Sequence, residues 1–478
     1  MKGKAIIMKK QGFNPYLPSW EYIPDGEPHV FENRVYVYGS HDRFNGHVFC
    51  LNDYVCWSAP IEDLTDWRYE GVIYKKTDDP LNPDSRMCLY APDVTVGPDG
   101  RYYLYYALDK ASVISVAVCD TPAGKYEFYG YVHHSDGTPL GEREGDPYQF
   151  DPAVLTEGDT TYLYTGFCGY GDKSRKGATV TVVGPDMLTV MEEPVYAAPS
   201  QPYSQGTGFE GHEFFEASSI RKIGDTYYFV YSSIVMHELC YATSKFPTKG
   251  FTYQGVIVSN NDIHIDSYKP AEKSMNYGSN NHGGIVEVNG KWYIFYHRHT
   301  NNSWFDRQGC MEQIEIQADG TIPQVEITSC GSNGGPLVGR GEYPAHIACN
   351  LFINEETLTK DFPAAWRINP YPMITQDGKD GDEEIGYIDN IQNSATAGFK
   401  YFDCKGIKKV KIKVRGYCSG AFEVKTSWNG EALGKIPVNY TNIWTEYSAE
   451  IEIPDGIQAL YFTYTGGGKA SLASFTLE

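Results

Sequence analysis

Phe214-Phe215-Glu216-Ala217-Ser218-Ser219-Ile220 runs through the turn Gly224-Asp225 into Tyr227-Tyr228-Phe229-Val230-Tyr231. The segment reads as two antiparallel strands, the first opened by a carboxylate set between aromatic and small residues and the second dense in aromatics. Phe215 and its neighbours would desolvate Glu216, and desolvation raises a carboxyl pKa toward the range useful to a general acid. One such Glu, taken alone, is an ordinary surface residue at a strand end. Its recurrence along the chain changes the reading.

The same strand pair appears five times between residues 11 and 345. The first copy is Glu27-Pro28-His29-Val30-Phe31, a turn at Glu32-Asn33-Arg34, and Val35-Tyr36-Val37-Tyr38. The second is Ala91-Pro92-Asp93-Val94-Thr95 with Tyr102-Tyr103-Leu104-Tyr105, and the third is Asp151-Pro152-Ala153-Val154-Leu155 with Tyr162-Leu163-Tyr164. Glu216 opens the fourth, and His282-Gly283-Gly284-Ile285-Val286 leads to Trp292-Tyr293-Ile294-Phe295-Tyr296 in the fifth. The aromatic anchors Tyr36, Tyr103, Tyr162, Tyr228 and Tyr293 are separated by 67, 59, 66 and 65 residues. Each interval holds short alternating strands and Gly/Pro/Asp turns, with no amphipathic helix. Five copies of a four-stranded unit predict an all-β chain whose first 345 residues form a five-bladed β-propeller, because radial repetition leaves few open sheet edges.

Composition bounds the partners. The 478 residues are too many for one ordinary core, so more than one domain is expected. Aromatics make up 14%, with 39 Tyr and 8 Trp, residues suited both to strands and to stacking against sugar rings. A formal charge of −21 opposes nucleic acid and anionic membranes and suits a neutral substrate. The basic stretch from Met1 to Lys10 has too short an apolar run for a secretory leader, and nowhere are there 18 consecutive apolar residues. Eleven scattered Cys with no C-x-x-C pair read as reduced thiols, so a cytoplasmic protein is expected and the sequons at Asn301 and Asn439 carry no meaning.

The pattern loosens near Cys330-Gly331-Ser332-Asn333-Gly334-Gly335-Pro336. Residues 346–478 predict a β-sandwich, with strands at Lys408–Val414, Ala421–Ser427, Thr445–Ile453, Ala459–Tyr464 and Ala470–Leu477.

In a propeller the innermost strand of each blade lines the central channel, so residues opening those strands converge. Asp25 and Glu27 open blade one, Asp151 blade three and Glu216 blade four. Carboxylates gathered at one mouth push each other's pKa values apart, which creates an acid and a base. The motifs Asn14-Pro15-Tyr16-Leu17-Pro18 with Pro24-Asp25-Gly26-Glu27-Pro28, Tyr90-Ala91-Pro92-Asp93, Asp151-Pro152, Glu216-Ala217-Ser218, Asn281-His282-Gly283 and Ser303-Trp304-Phe305-Asp306-Arg307-Gln308 together resemble glycoside hydrolase family 43 over residues 11–345.

That resemblance implies an inverting hydrolase, in which two carboxyl groups roughly 6.5–9.5 Å apart leave room for the attacking water. It implies Glu216 as the acid on the leaving oxygen, Asp151 as the residue that orients it and raises its pKa by repulsion, and a base in blade one. The base is either Asp25 or Glu27: counting back from Pro28 gives Glu27, whereas treating Gly26-Glu27 as an insertion gives Asp25. Asp25 is favoured because a shorter Asp matches the family and Gly26 would let the chain bend. His282 matches a family histidine associated with a hydrated ion such as calcium, expected to be structural rather than catalytic. No organic cofactor is expected. Arg307 matches a substrate-facing arginine, with Arg298 as its neighbouring alternative. Trp57, Tyr90, Phe215 and Trp304 are candidate stacking aromatics.

The C-terminal domain resembles a family 6 carbohydrate-binding module through Ser419-Gly420-Ala421 and the strands beyond it, with Trp444 or Tyr447 as a sugar contact if that role is kept and packing on the propeller otherwise. The expected activity is release of terminal α-L-arabinofuranosyl or β-D-xylosyl units from arabinoxylan or arabinan oligosaccharides. An endo-arabinanase and a non-catalytic sugar-binding propeller are the alternatives.

Overall fold

The computed structural model describes residues 10–353 and 371–478. The stretch read above for a leader lies outside them, apart from Lys10. Four blades are four-stranded antiparallel sheets with strands in chain order from the axis outward. Blade one comprises β1 (Glu27–Phe31), β2 (Arg34–Tyr38), β3 (Tyr54–Pro60) and β4 (Arg68–Tyr74). Blade two comprises β5 (Leu89–Val96), β6 (Tyr102–Leu108), β7 (Ile114–Cys119) and β8 (Glu127–Tyr131). Blade three comprises β9 (Ala153–Glu157), β10 (Thr160–Thr165), β11 (Gly177–Val183) and β12 (Val190–Pro199). Blade four comprises β13 (Phe214–Ile223), β14 (Thr226–Ser233), β15 (Glu238–Ser244) and β16 (Thr252–Ser259). Blade five has three strands, β17 (Ile285–Val288), β18 (Lys291–His299) and β19 (Arg307–Ile314).

The open edge of β19 is met by the N-terminal segment. The Tyr16 N–H donates to the Gly309 carbonyl at 3.3 Å, while the Asn14 side chain accepts from Met311 N–H at 2.9 Å and donates to its carbonyl at 3.0 Å. The chain's beginning thus closes its last blade and removes an edge that would otherwise invite pairing. Nearby, the innermost residues of blades five and one touch through a parallel bridge between Gly26 and Gly283. A Cβ on Gly283 would fall 1.9 Å from the Phe295 carbonyl, so only glycine fits there.

The aromatic load is explained by the wedges between blades. A second strand in a propeller is covered on both faces, so alternate residues are all apolar and point to opposite neighbours. In β6, Leu104 and Tyr106 pack in the cluster shared with blade one, whereas Tyr103 and Tyr105 pack in the cluster shared with blade three. The five anchors of the sequence repeat share one direction. Tyr36 faces blade two, Tyr103 blade three, Tyr162 blade four, Tyr228 blade five and Tyr293 blade one.

The remainder forms two six-stranded sheets packed face to face. One contains Thr396–Cys404, Gly456–Gly468, Cys418–Lys425 and Gly434–Val438, and the other Tyr387–Ile391, Ala470–Leu477, Ile407–Gly416 and Thr441–Ile453. All five strands expected from sequence are present, several of them longer at their ends. The sandwich also recruits residues ahead of the expected 345/346 boundary. Leu337–Val338 pairs with Phe402–Asp403, and Gly341–Pro344 pairs with the C-terminal strand. Two- and four-residue strands carry too few alternations to show a period, which is why the boundary read late.

Polar ties dock the two domains. Arg298, the alternative substrate arginine, is instead buried away from any sugar site, its guanidinium donating to the carbonyls of Ala348 at 3.0 Å and His346 at 2.7 Å. Lys400 of the sandwich reaches Asp262 at 3.0 Å and Glu326 at 3.1 Å on the propeller side, with its ammonium 3.6 Å from the Tyr268 ring centroid. Its side chain is fully buried, as is that of Asp262. Removing one partner of a buried pair strands the other charge and costs about 3–5 kcal/mol. Lys400→Ala is therefore expected to lower unfolding stability by about that amount, read from the denaturant midpoint of the full chain; a midpoint equal to wild type would contradict this account of the docking.

Candidate active site

The N-terminal ends of the inner strands meet in a cavity of about 410 Å³ lined by Asp25, Tyr90, Asp151, Phe215, Glu216, His282, Trp304 and Arg307, with Phe49, Tyr148, Phe150 and Phe167 completing an aromatic wall. Eight residues singled out in the sequence are thus brought together from different blades. A larger concavity of about 990 Å³ lies between propeller and sandwich and is lined by Trp20, Trp67, Tyr387 and Trp444, with none of these acids. Trp444 has the Arg415 guanidinium 4.3 Å from its ring centroid, and Tyr447 donates its hydroxyl to the Asn439 carbonyl at 2.9 Å.

Asp25 sits just before β1 with φ of +57°. The bend expected at Gly26 falls on Asp25 itself, a left-handed conformation tolerated best by Gly, Asn and Asp, and it turns the carboxylate toward the cavity. The side chain is buried, and burial would raise its pKa, but the charge of Arg307 overrules that and holds it well below the usual carboxylate range. Arg307 donates to both Asp25 oxygens at 2.9 and 3.2 Å. His297 donates through Nε2 to the Asn280 carbonyl at 2.7 Å, leaving Nδ1 to accept the Asp25 amide at 3.3 Å.

Arg307 is itself held from behind. Asp42 takes its Nε at 2.8 Å and Nη2 at 3.0 Å, and the guanidinium carbon lies 4.7 Å from the Phe49 ring centroid. The loop carrying Asp42 is braced by the second domain, where Asp380 accepts the Phe44 N–H at 2.8 Å and the Asn52 amide at 3.2 Å. Asp42, His297 and Asp380 were missed in the sequence. An Asp in a Gly/Asn-rich loop reads as solvent-facing, and nothing local marks Asp380 as a contact to a residue over three hundred positions away.

Glu216 lies on β13, whose pairing with β14 breaks on either side of it, between Phe214 and Glu216 and again between Glu216 and Ser219. Bulges of this kind re-aim a side chain. Ala217, next in sequence, has φ of +68°. Asp151 grips this strained turn, its Oδ2 accepting the Ala217 N–H at 3.2 Å. Burial, then the Asp25 charge, push the Glu216 carboxyl up to about 8 against the opposing charge of Arg307. Asp151 is raised too, by burial and by Glu216. The charge that acts on Glu216 is chiefly that of Asp25, because a carboxyl kept protonated exerts no like-charge repulsion.

Two expectations are corrected. Glu27 does not line the cavity. It is fully buried beside Arg221, which donates to its Oε2 at 2.8 Å, and burial lifts its carboxyl to about 7 against the Arg221 charge. Residues two apart in a strand would share a side, but Asp25 lies ahead of β1 in a left-handed conformation, so the alternation does not carry over to it and its carboxylate is turned away from that of Glu27. Trp57 is not a stacking platform either. It packs between blades five and one and donates its indole N–H to Glu21 at 2.9 Å.

His282 is buried, and burial lowers its imidazole to about 4, so it is neutral at pH 7. Its Nδ1 lies 3.8 Å from Asp151, while among the described residues Nε2 makes no hydrogen bond. A neutral imidazole with an orphaned nitrogen fits one ligand of a cation. No described cluster of three ligand-type side chains includes it, so a cation there would keep most of its own water, as a hard oxygen-seeking ion does.

The family model for glycosyl hydrolases family 43 matches residues 24–322. A xylosidase/arabinosidase of Thermoclostridium stercorarium is 78% identical over 470 residues, 98% of this chain and 99% of that protein. A β-xylosidase/α-arabinofuranosidase of the same family from a compost metagenome, solved with xylotriose in a calcium-free form, covers 65% of this chain and 96% of its own at 29% identity and a TM-score of 0.51. An arabinoxylan arabinofuranohydrolase from Bacillus subtilis, solved with cellotetraose, aligns across 97% of both chains at 22% identity and a TM-score of 0.52, and extends the likeness of fold to the sandwich. The protein is a glycoside hydrolase, and it belongs to glycosyl hydrolases family 43.

Proposed function

We propose that the chain releases terminal α-L-arabinofuranosyl and β-D-xylosyl units from arabinoxylan-derived oligosaccharides with inversion, Asp25 acting as base and Glu216 as acid. The observation that carries this reading is the opposed protonation of two buried carboxyls in one aromatic-walled cavity: Asp25 is held ionised and Glu216 protonated up to about pH 8. That is the pairing an inverting hydrolysis requires. A cavity of about 410 Å³ suits one or two sugar rings, which favours an exo mode over the long cleft of an endo-arabinanase. The relatives named xylosidase/arabinosidase and the neighbours solved with xylose oligomers support the substrate class.

Asp25 draws a proton from a water as that water's oxygen forms a bond to the anomeric carbon. The glycosidic C–O bond breaks on the opposite face, and its oxygen takes the Glu216 proton. Asp151 holds the Ala217 amide, and with it the turn that aims Glu216. Arg307 keeps Asp25 anionic, and Phe215, Tyr90 and Trp304 supply apolar walls for the sugar. A calcium ion held through His282 would add positive charge to a floor that carries Asp25 and Asp151.

For Glu216→Gln, kcat on xylo-oligosaccharides is expected to fall by about 10²–10⁴-fold, with a smaller loss on nitrophenyl glycosides, whose leaving group needs little protonation. Asp25→Asn should lose activity on both. Equal losses for Glu216→Gln on both substrate classes would remove it from the acid role, and absence of wild-type turnover on aryl xyloside, aryl arabinofuranoside and xylan fragments would sink the reading. In wild type, kcat/KM should decline as pH rises through about 8, because a carboxyl with a raised pKa is protonated below that value and loses its proton above it. An alkaline limb that stays unmoved in Glu216→Gln would assign that titration to another group. If Asp151 works by gripping Ala217, Asp151→Asn, which can still accept that N–H, should keep activity within about tenfold of wild type, whereas Asp151→Ala falls about 10²-fold; equal losses would favour its charge instead.

A further inference from the structure

We infer that blade four carries a transition-metal site of its own, separate from the catalytic cavity, formed by His212, Glu238 and Cys240 and suited to zinc. His212 Nδ1, a Glu238 carboxylate oxygen and Cys240 Sγ all lie within 4.8 Å of one another. His212 Nδ1 is 2.6 Å from Glu238 Oε1, and Cys240 Sγ is 3.3 Å from the same oxygen and 3.9 Å from His212 Nδ1. His264 Nε2 lies 3.4 Å from the other oxygen, Glu238 Oε2, at the edge of the cluster. Bond lengths of about 2.0–2.3 Å place the ligand atoms of a tetrahedral zinc about 3.3–3.8 Å apart. Two of the three separations lie close to that range, and the His212–Glu238 hydrogen bond need open by less than about 1 Å.

The fold presents these donors together. Glu238 and Cys240 are alternate residues at the start of β15, so they share one face of the strand. His212 precedes β13, and its ring lies stacked on Tyr253 at a 4.8 Å centroid distance and an 11° interplanar angle, which fixes its orientation. Glu238 is fully buried; its Oε1 accepts the Ser233 hydroxyl at 2.6 Å, while among the described residues its Oε2 makes no hydrogen bond and has only the His264 imidazole near it. The donor set of imidazole, thiolate and carboxylate is the mixture that zinc accepts and that calcium, with its preference for oxygen, does not. One thiolate and one carboxylate would balance a dication, with the His212 imidazole neutral and water in the fourth position. His264, with 43% of its side chain exposed, leaves an entry path. The other clustered set, Glu27, His29 and Asp93, is already occupied by Arg221 and by the Val94 and Val154 amides. A metal at His212 would tie the entry of β13, four residues before Glu216, to β15.

The test uses the full chain, stripped with chelator and titrated with Zn²⁺ by calorimetry and with Co²⁺ by absorbance. One equivalent should bind, with a thiolate-to-cobalt charge-transfer band. The band should vanish in Cys240→Ser, and affinity should fall at least tenfold in His212→Ala, whose half-exposed side chain makes it the variant to rely on if Cys240→Ser does not fold. His282→Ala should leave both signals unchanged. Absence of stoichiometric binding, a band that survives Cys240→Ser, or wild-type affinity in His212→Ala would each overturn the site.

Discussion

One buried guanidinium governs the active centre. Arg307 bridges Asp25 in front and Asp42 behind, and all three side chains are largely removed from water. An arginine so placed would cost several kcal/mol to desolvate without partners. With them it becomes a fixed positive charge that keeps one carboxylate ionised where burial alone would protonate it. The Asp25 charge in turn raises Glu216. The opposed protonation of the two carboxyls therefore rests on the Arg307 ion pair at Asp25 and on burial at Glu216, to which the Asp25 charge adds across the channel.

That arrangement depends on closure of the ring. Arg307 stands at the start of β19 in blade five and Asp25 at the entry to blade one, so the pair forms only where the last blade meets the first. The N-terminal segment on β19 and the approach of Gly26 to Gly283 hold this junction. The sandwich reinforces it. Asp380 braces the Asp42 loop, and Arg298 anchors β18 to the carbonyls of residues 346 and 348. The second domain thus supports Asp25 at one remove, independently of any sugar it binds itself.

Much of the fold was legible because a propeller writes its symmetry into the chain. Each second strand is covered on both faces, so Tyr36, Tyr103, Tyr162, Tyr228 and Tyr293 recur at nearly constant spacing and all turn toward the following blade. Asp25, Asp151 and Glu216 were legible for the same reason, as acids opening inner strands that must converge. Glu27 and Trp57 misled because type and position along the chain do not reveal depth in the channel or which wedge an aromatic fills. Asp42, His297 and Asp380 were invisible, since each acts through a partner remote in sequence and leaves no local pattern.

Sequence by itself determined the five-fold β architecture, the sandwich after it and the identity of the acids at the strand ends, because those follow from periodicity and residue chemistry, which are local. Only the tertiary structure decided which of the two blade-one acids reaches the cavity and which carboxyl there keeps its proton. A carboxyl's pKa depends on burial and on charges brought beside it from distant parts of the chain, and the Asp25–Arg307 contact joins residues at opposite ends of the propeller.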